Sequence, residues 1–577
     1  MSSNKESVVK AWWKEASVYQ IYPASFKDSN GDGLGDIPGI ISKLDYIESL
    51  GIDIIWICPI FDSPQVDVGY DISNYKDIYP PYGTLADVNE LIEKCHKRGI
   101  KVLMDLVVNH TSDQHRWFQA AKESKVNEYR DFYIWRKPKF GQNGERQPPN
   151  NWAAAWGGSA WQYDEASDEY YLHLFAPEQP DLNWDNPAVR KAVHDIIIFW
   201  LKAGADGFRM DVINFISKDP EFPDAEVTRK DTKWQSGHKH FACGPRLHEY
   251  LLEIGQILKE YNAFSVGEMP YVDDPKEIIK AVRSDRDELN MIFHFEIVDM
   301  DHGERGKFSP REWKMSTLKA IVNKWQQFMI SNDGWNALYL ENHDQSRMVS
   351  RWGCDSPENR TDCAKMFATF LSLQSGTVFI YQGQELGMIN IPLEREVKEY
   401  RDLETINAWN DMMRDFPEDK ELHDIVKREI QKKSRDNART PMQWDTTKYA
   451  GFSTSTPWQR ENESYTSINA AAQVGNPTSV YEHWASLLRL RKTHKDVLVY
   501  GDFQLIDSDN DDIFAYLRTS TDKKVLVLAN FRPYNVTWKK PDGLGTLGSI
   551  LIENKTIDVK SECLILKPFH SFACFVE

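Results

Sequence analysis

Apolar and polar positions fall into two alternating kinds of stretch along most of the chain. Short runs rich in β-branched and aromatic residues stand at 18–22, 53–59, 101–108, 207–213, 264–268, 291–298, 337–341 and 377–381. Between most of them lie longer stretches with apolar residues at helical spacing, for example 85–98, 188–202, 246–261 and 318–329. Strands alternating with helices predict a parallel sheet in an α/β fold. Eight such strands are the number that closes a (β/α)8 TIM barrel. A doubly wound open sheet is the alternative that the alternation alone leaves open.

Two departures from the alternation divide the chain. Residues 111–178 are rich in Trp, Gly, Pro and Asn and show no clear helix, which predicts an inserted subdomain after strand three. From about residue 496 strands follow one another without helices, at 502–506, 513–518, 524–530, 549–552 and 564–567. They predict a C-terminal antiparallel β domain of sandwich type. The expected division is 1–110 with 179–495 as the catalytic barrel, 111–178 as the insertion and 496–577 as the C-terminal domain. Residues 387–432, dense in Glu, Lys and Arg, are expected to form a solvated excursion after strand eight.

Composition narrows the function. The chain has 577 residues, 41% of them hydrophobic, enough for a large core and too many for a disordered chain. With 69 basic and 87 acidic residues, a net charge of −18 and no basic block, it suits neither nucleic acid nor an anionic membrane surface. Twenty Trp, 24 Tyr and 27 Phe alongside so many acids suit an uncharged, polyhydroxylated ligand, which stacks on rings and hydrogen-bonds to carboxylates. The seven cysteines form no C-x-x-C pair, which argues against a disulfide framework and against zinc. The opening MSSNKESVVKAWW has no apolar leader core, and no run is long enough to span a membrane. A cytoplasmic monomer is expected.

The polar residues then concentrate at strand ends. Strand three ends in Asp105-Leu-Val-Val-Asn109-His110, strand four in Arg209-Met-Asp211, strand five in Gly267-Glu268 and strand seven in Glu341-Asn-His343-Asp344. In a barrel these ends open on one face, where active sites of this fold lie. Three carboxylates in one pocket repel one another and lose hydration, so packing alone does not explain them. Chemistry that needs separated carboxyl pKa values does. The close pair His238/His240 reads as a surface loop, and two carboxylates without a metal cluster suggest glycoside hydrolysis.

The strings DLVVNH (105–110), QPDLNW (179–184), GFRMD (207–211), GE (267–268) and NHD (342–344) resemble, in order, those of the α-amylase family, glycoside hydrolase family 13. Within it the chain is similar to the oligo-1,6-glucosidase, isomaltase and maltase group of exo-acting α-glucosidases. The resemblance implies Asp211 as nucleophile, Glu268 as acid/base and Asp344 as stabiliser of the transition state. Arg209 would keep Asp211 ionised, and His110 and His343 would bind glucosyl hydroxyls. Asp71 and Arg439 resemble the group's ion pair that clamps the non-reducing glucose, with Tyr70 as a stacking floor. The expected reaction is retaining hydrolysis of terminal α-glucosidic bonds in small oligosaccharides, with the two carboxyls about 5–5.5 Å apart. In this group Val after the nucleophile, here Val212, goes with α-1,6 linkages, while maltase or broad α-1,4/α-1,6 and sucrose activity stays open.

The loop Asp28-Ser-Asn30-Gly-Asp32-Gly-Leu34-Gly-Asp36 begins like an EF-hand, but its twelfth position is Gly39 rather than Glu. The resemblance implies a structural Ca²⁺ on Asp28, Asn30, Asp32, Asp36 and the Leu34 carbonyl. Two further readings share the family. A glucosyl-transferring isomerase would keep the same site. A non-enzymatic amylase-like interaction module would carry a membrane span and a degraded catalytic set, and this chain shows neither feature.

Overall fold

The computed structural model describes residues 9–272 and 274–577. Residues 1–8, the first part of the stretch read above for a leader, lie outside the described residues. Eight parallel strands form the barrel: β1 (Ser17–Ile21), β2 (Ile54–Ile57), β3 (Lys101–Leu106), β4 (Gly207–Met210), β5 (Phe264–Glu268), β6 (Met291–Phe293), β7 (Ala337–Leu338) and β8 (Thr377–Tyr381). They pair in the order β6-β5-β4-β3-β2-β1-β8-β7, and a lone parallel bridge between Ile292 and Asn336 brings β6 to β7. The open sheet is thereby discarded. Runs such as Ile54–Ile57 and Thr377–Tyr381 are buried throughout, as strands covered on both faces require.

Local chemistry sets the helix limits. Thr84 and Asp87 form a capping box at the start of Leu85–Lys97. Pro187–Ala203 begins with Asn186 as its cap and proline in the first turn, and it stops at Gly204, whose φ of 106° suits the left-handed end of a helix. Strands six and seven are shorter than the apolar runs suggested. The chain turns into the helix Glu296–Asp299 soon after Phe293, and Glu341–Asp344 lies beyond the ladder on a turn closed by Asp344 N donating to Asn342 Oδ1 at 2.7 Å.

The insertion contains a helix after all, Arg116–Glu123, followed by an antiparallel sheet of Trp135–Arg136, Glu169–Leu172 and Trp161–Asp164. Its core of Trp152, Trp161 and Leu172 is continuous with Val212, Phe215 and Phe241 from the end of β4 and the segment that follows. The charged excursion is also less solvated than expected. Its helices Leu403–Asp415 and Lys420–Lys433 enclose a small core of Ile391, Val397, Tyr400 and Ile430.

The chain ends in an antiparallel sheet of β9 (Asp502–Ile506), β10 (Ile513–Thr519), β11 (Lys524–Asn530), β12 (Leu547–Glu553) and β13 (Ser571–Val576), ordered β9-β10-β11-β13-β12. The pair Val536–Lys539 and Cys563–Leu566 packs with it around Trp538 and Phe572. Lys319, on a barrel helix, ties the two parts together by donating to the carbonyls of Asp507 at 2.6 Å and Asn510 at 2.7 Å. Among the described residues, no helix is long and apolar enough to cross a membrane.

Candidate active site

Register assembles the charged centre. Arg209 on β4 is paired across the sheet with Asp105 on β3, and Met210 with Gly267 on β5. Residues two apart on a strand share a face, so Arg209 and Asp211 point the same way, and Asp211 comes level with Glu268. The guanidinium then meets three carboxylates. Arg209 Nη1 is 3.0 Å from Asp105 Oδ1 and 2.9 Å from Asp211 Oδ1, and Nη2 is 2.6 Å from Glu268 Oε2. Asp105 is oriented by Trp56 Nε1 and the Tyr70 hydroxyl, each donating at 3.0 Å.

One guanidinium among three buried carboxylates leaves a surplus of negative charge if all ionise. Burial pushes Asp211 and Glu268 above the usual carboxylate range, with Arg209 pulling against it. A carboxyl raised in this way is what an acid/base residue needs. Asp344 differs. Burial would raise it, but Arg435 and Arg439 outweigh that and hold it well below the ordinary range. It contacts Arg439 Nη2 at 2.7 Å and Arg435 Nη1 at 3.3 Å.

The two histidines are neutral donors. Burial pushes His343 down to about 3. Gln20 Nε2 lies 2.8 Å from its Nδ1. That contact leaves the proton on Nε2, 3.6 Å from Asp344 Oδ2. Burial lowers His110 as well; its Nε2 is 3.0 Å from the Tyr70 carbonyl, so a sugar hydroxyl there must share that contact. The Tyr70 ring, which lines the cavity, stacks on His343 with centroids 5.0 Å apart and planes 6° from parallel.

The clamp residues read from the resemblance need correction. Asp71 is fully buried and faces its own loop, accepting from Ser63 Oγ at 3.1 Å, Val66 N at 2.8 Å and Asp67 N at 3.0 Å. Burial lifts it to about 6. Arg439 approaches Asp344 from beneath and donates to the His343 carbonyl at 3.1 Å. The acid–arginine pair in the cavity wall is Asp67 with Arg435, 3.1 Å apart, with Arg435 stacked 4.3 Å over the Trp156 ring and held by Asp402 at 2.7 Å. Asp67 and Arg435 each lie four residues upstream of Asp71 and Arg439. Acids at 67 and 71, and arginines at 435 and 439, offered two registers that sequence alone did not separate.

These groups open into a cavity of about 390 Å³ lined by Asp67, Tyr70, His110, Asp211, Glu268 and Asp344, with Val212 at its wall. Phe175, Phe215 and Tyr271 supply apolar surface farther out. Glu404, from the charged excursion, also reaches the cavity and is held by Lys307 at 2.6 Å. Sequence reading missed Asp105, Asp67, Arg435 and Glu404. Asp105 stood inside a quoted motif, whereas Glu404 gave no signal beyond a charged helix.

The Asp28–Asp36 loop is wound by successive side-chain-to-amide bonds. Asp28 Oδ1 accepts from Asn30 N and Gly31 N, Asn30 Oδ1 from Asp32 N at 2.9 Å, and Asp32 Oδ1 from Leu34 N at 2.8 Å. Asp36 instead caps the next helix through Gly39 N. Hard oxygen donors at alternate positions suit Ca²⁺ chemically. Among the described residues no group of three His, Cys, Asp or Glu side chains stands ready to hold a metal, and Asp32 is exposed.

A barrel with this carboxylate set at its C-terminal face defines a glycoside hydrolase class. The family model for the alpha amylase catalytic domain matches residues 20–501, and the chain belongs to that family. It is similar to the alpha-glucosidase of Schizosaccharomyces pombe, 48% identical over 98% of both chains. It is also 48% identical to the oligo-1,6-glucosidase of Parageobacillus thermoglucosidasius, over 96% of both. Among solved structures, the trehalose-6-phosphate hydrolase of Bacillus licheniformis superposes with a TM-score of 0.90 at 43% identity, covering 98% of this chain and 100% of that one.

Proposed function

We propose that the protein is an exo-acting, retaining α-glucosidase that removes terminal glucose from short oligosaccharides, with preference for α-1,6 linkages. The observation that carries this reading is Arg209 joining Asp211 and Glu268 at neighbouring nitrogens of one guanidinium. Such close spacing suits nucleophile and acid/base in a double displacement. Asp211 attacks the anomeric carbon while Glu268 protonates the departing glycosidic oxygen. Glu268 then takes a proton from water, whose oxygen displaces Asp211 from the same carbon with retention. Asp344, kept ionised by its arginines, would bind sugar hydroxyls more tightly as the ring flattens.

Exo action is supported by the Asp67–Arg435 pair in the cavity wall, an ion pair that would close the pocket beyond the terminal sugar. Neutral rather than phosphorylated sugars are supported by the cations that line the cavity, each engaged by an acid: Arg229 by Asp231 at 2.9 Å and Arg435 by Asp67 at 3.1 Å. All seven cysteines are free, in keeping with a reducing cytoplasm.

Linkage preference is tested by kcat/KM for isomaltose and maltose on the purified protein. An excess for isomaltose of about tenfold is expected, the scale on which pocket shape discriminates. Val212→Thr is expected to narrow it. Equal or better hydrolysis of maltose would withdraw the α-1,6 preference and leave the α-glucosidase reading in place.

The Asp28–Asp36 loop is proposed to bind one structural Ca²⁺, with the exposed Asp32 turning in to join Asp28, Asn30, Asp36 and the Leu34 carbonyl. Chelation is then expected to lower the melting temperature by about 2–5 °C, reversed by added Ca²⁺. An unchanged melting temperature together with no calcium by elemental analysis would dismiss the metal.

A further inference from the structure

We propose that the main chain of Val212, held in a left-handed conformation, assigns the transferable proton of Glu268 to Oε1 by donating its N–H to Oε2. This rests on Glu268 being the acid/base. Val212 has φ 33° and ψ 44°, a region that a β-branched side chain disfavours and that the surroundings must impose.

The surroundings do impose it. Asp211 N, just before, donates to the Leu106 carbonyl at 3.0 Å, and Phe215 N, just after, donates to the Val212 carbonyl at 2.9 Å. Asn214 Nδ2 anchors the turn to the Pro270 carbonyl at 2.8 Å. The Val212 side chain is buried in the cluster of Leu174, Phe215 and Phe241, so the subdomain core grips it as well.

In that conformation Val212 N lies 3.3 Å from Glu268 Oε2, and Arg209 Nη2 lies 2.6 Å from the same oxygen. Two donors already point at Oε2, so a proton placed there would face their hydrogens. Oε1 is the oxygen left to carry it to the glycosidic oxygen in the cavity that Glu268 lines. The same N–H favours the ionised carboxylate and so restrains the rise that burial gives Glu268. Val212 is thus a positioning residue through its backbone, apart from any effect of its side chain on linkage.

The test is a backbone ester between 211 and 212, made by incorporating the α-hydroxy analogue of valine, which deletes that one N–H and keeps the side chain. The basic limb of kcat/KM against pH on isomaltose reports loss of the acid's proton. It is expected to move upward by about one pH unit, because an ionised partner is stabilised by a donor of that strength. Val212→Gly reaches positive φ without strain and keeps the N–H, so its limb is expected to stay at the wild-type position. A basic limb in the ester variant that superimposes on wild type overturns the proposal, and so does a shifted limb in Val212→Gly. Glu268→Gln separates the two readings. Loss of isomaltose hydrolysis with retained release of fluoride from glucosyl fluoride keeps Glu268 as the acid, whatever the ester does. Retained isomaltose hydrolysis removes that role itself.

Discussion

Asp211→Ala is expected to lower kcat on isomaltose by about 10⁴-fold or more, the scale of removing a nucleophile that acts together with its partners. The fold should survive. Asp211 is one of three carboxylates around a single guanidinium, and burial holds its pKa up, so the native state gains little from its charge. Removing it relieves repulsion against Glu268 and leaves Arg209 still bound to Asp105 and Glu268. The melting temperature is expected to equal or exceed that of the wild type. A turnover within tenfold of wild type, with an unchanged circular dichroism spectrum, would sink the nucleophile assignment.

Arg209→Leu should do the opposite, harming stability and activity together. It removes the one cation among Asp105, Asp211 and Glu268 and leaves three buried carboxyl groups unpaired. Breaking a buried pair by removing one partner costs about 3–5 kcal/mol. The loss has a definite pH dependence. Without the guanidinium all three carboxyls have folded pKa values above their unfolded ones, so the native state prefers them protonated. The deficit is therefore smallest in acid and grows as pH rises above about 4, where the unfolded carboxyls ionise. Denaturant unfolding of the variant and wild type at pH 4 and pH 7 measures it. A pH-independent deficit would mean that lost packing around Trp56 and Tyr70, which the guanidinium also faces, is the cause. Turnover should fall by about 10²–10³-fold, since the one cation that favours the Asp211 carboxylate against burial and Glu268 is gone. Adding Asp105→Leu to Arg209→Leu is expected to restore part of the stability and none of the rate.

Most of the barrel was legible because its strands are continuous apolar runs and its helices carry their own start and stop signals, such as Thr84 with Asp87 and Asn186 with Gly204. The helix Arg116–Glu123 was missed because the aromatic and glycine-rich residues after it dominate the stretch. Strand β13, Ser571–Val576, was also missed, although it runs between β11 and β12. A short apolar run at a chain end has no period to mark it as a sheet centre.

Sequence by itself determined which carboxylates gather at the cavity. Asp211, Glu268 and Asp344 could be named because strand order and strand ends fix where such residues emerge in a barrel. Only the tertiary structure decided how charges pair across hundreds of residues. It placed Asp67 rather than Asp71 against Arg435, and Arg439 under Asp344. It also made Asp105 the third carboxylate on Arg209 and brought Glu404 to the cavity. The physical reason is that an ion pair depends on where two side chains meet. A shift of four residues keeps the same side of a turn or helix facing the pocket, so the local pattern is nearly the same for either choice, and only the packed backbone selects between them.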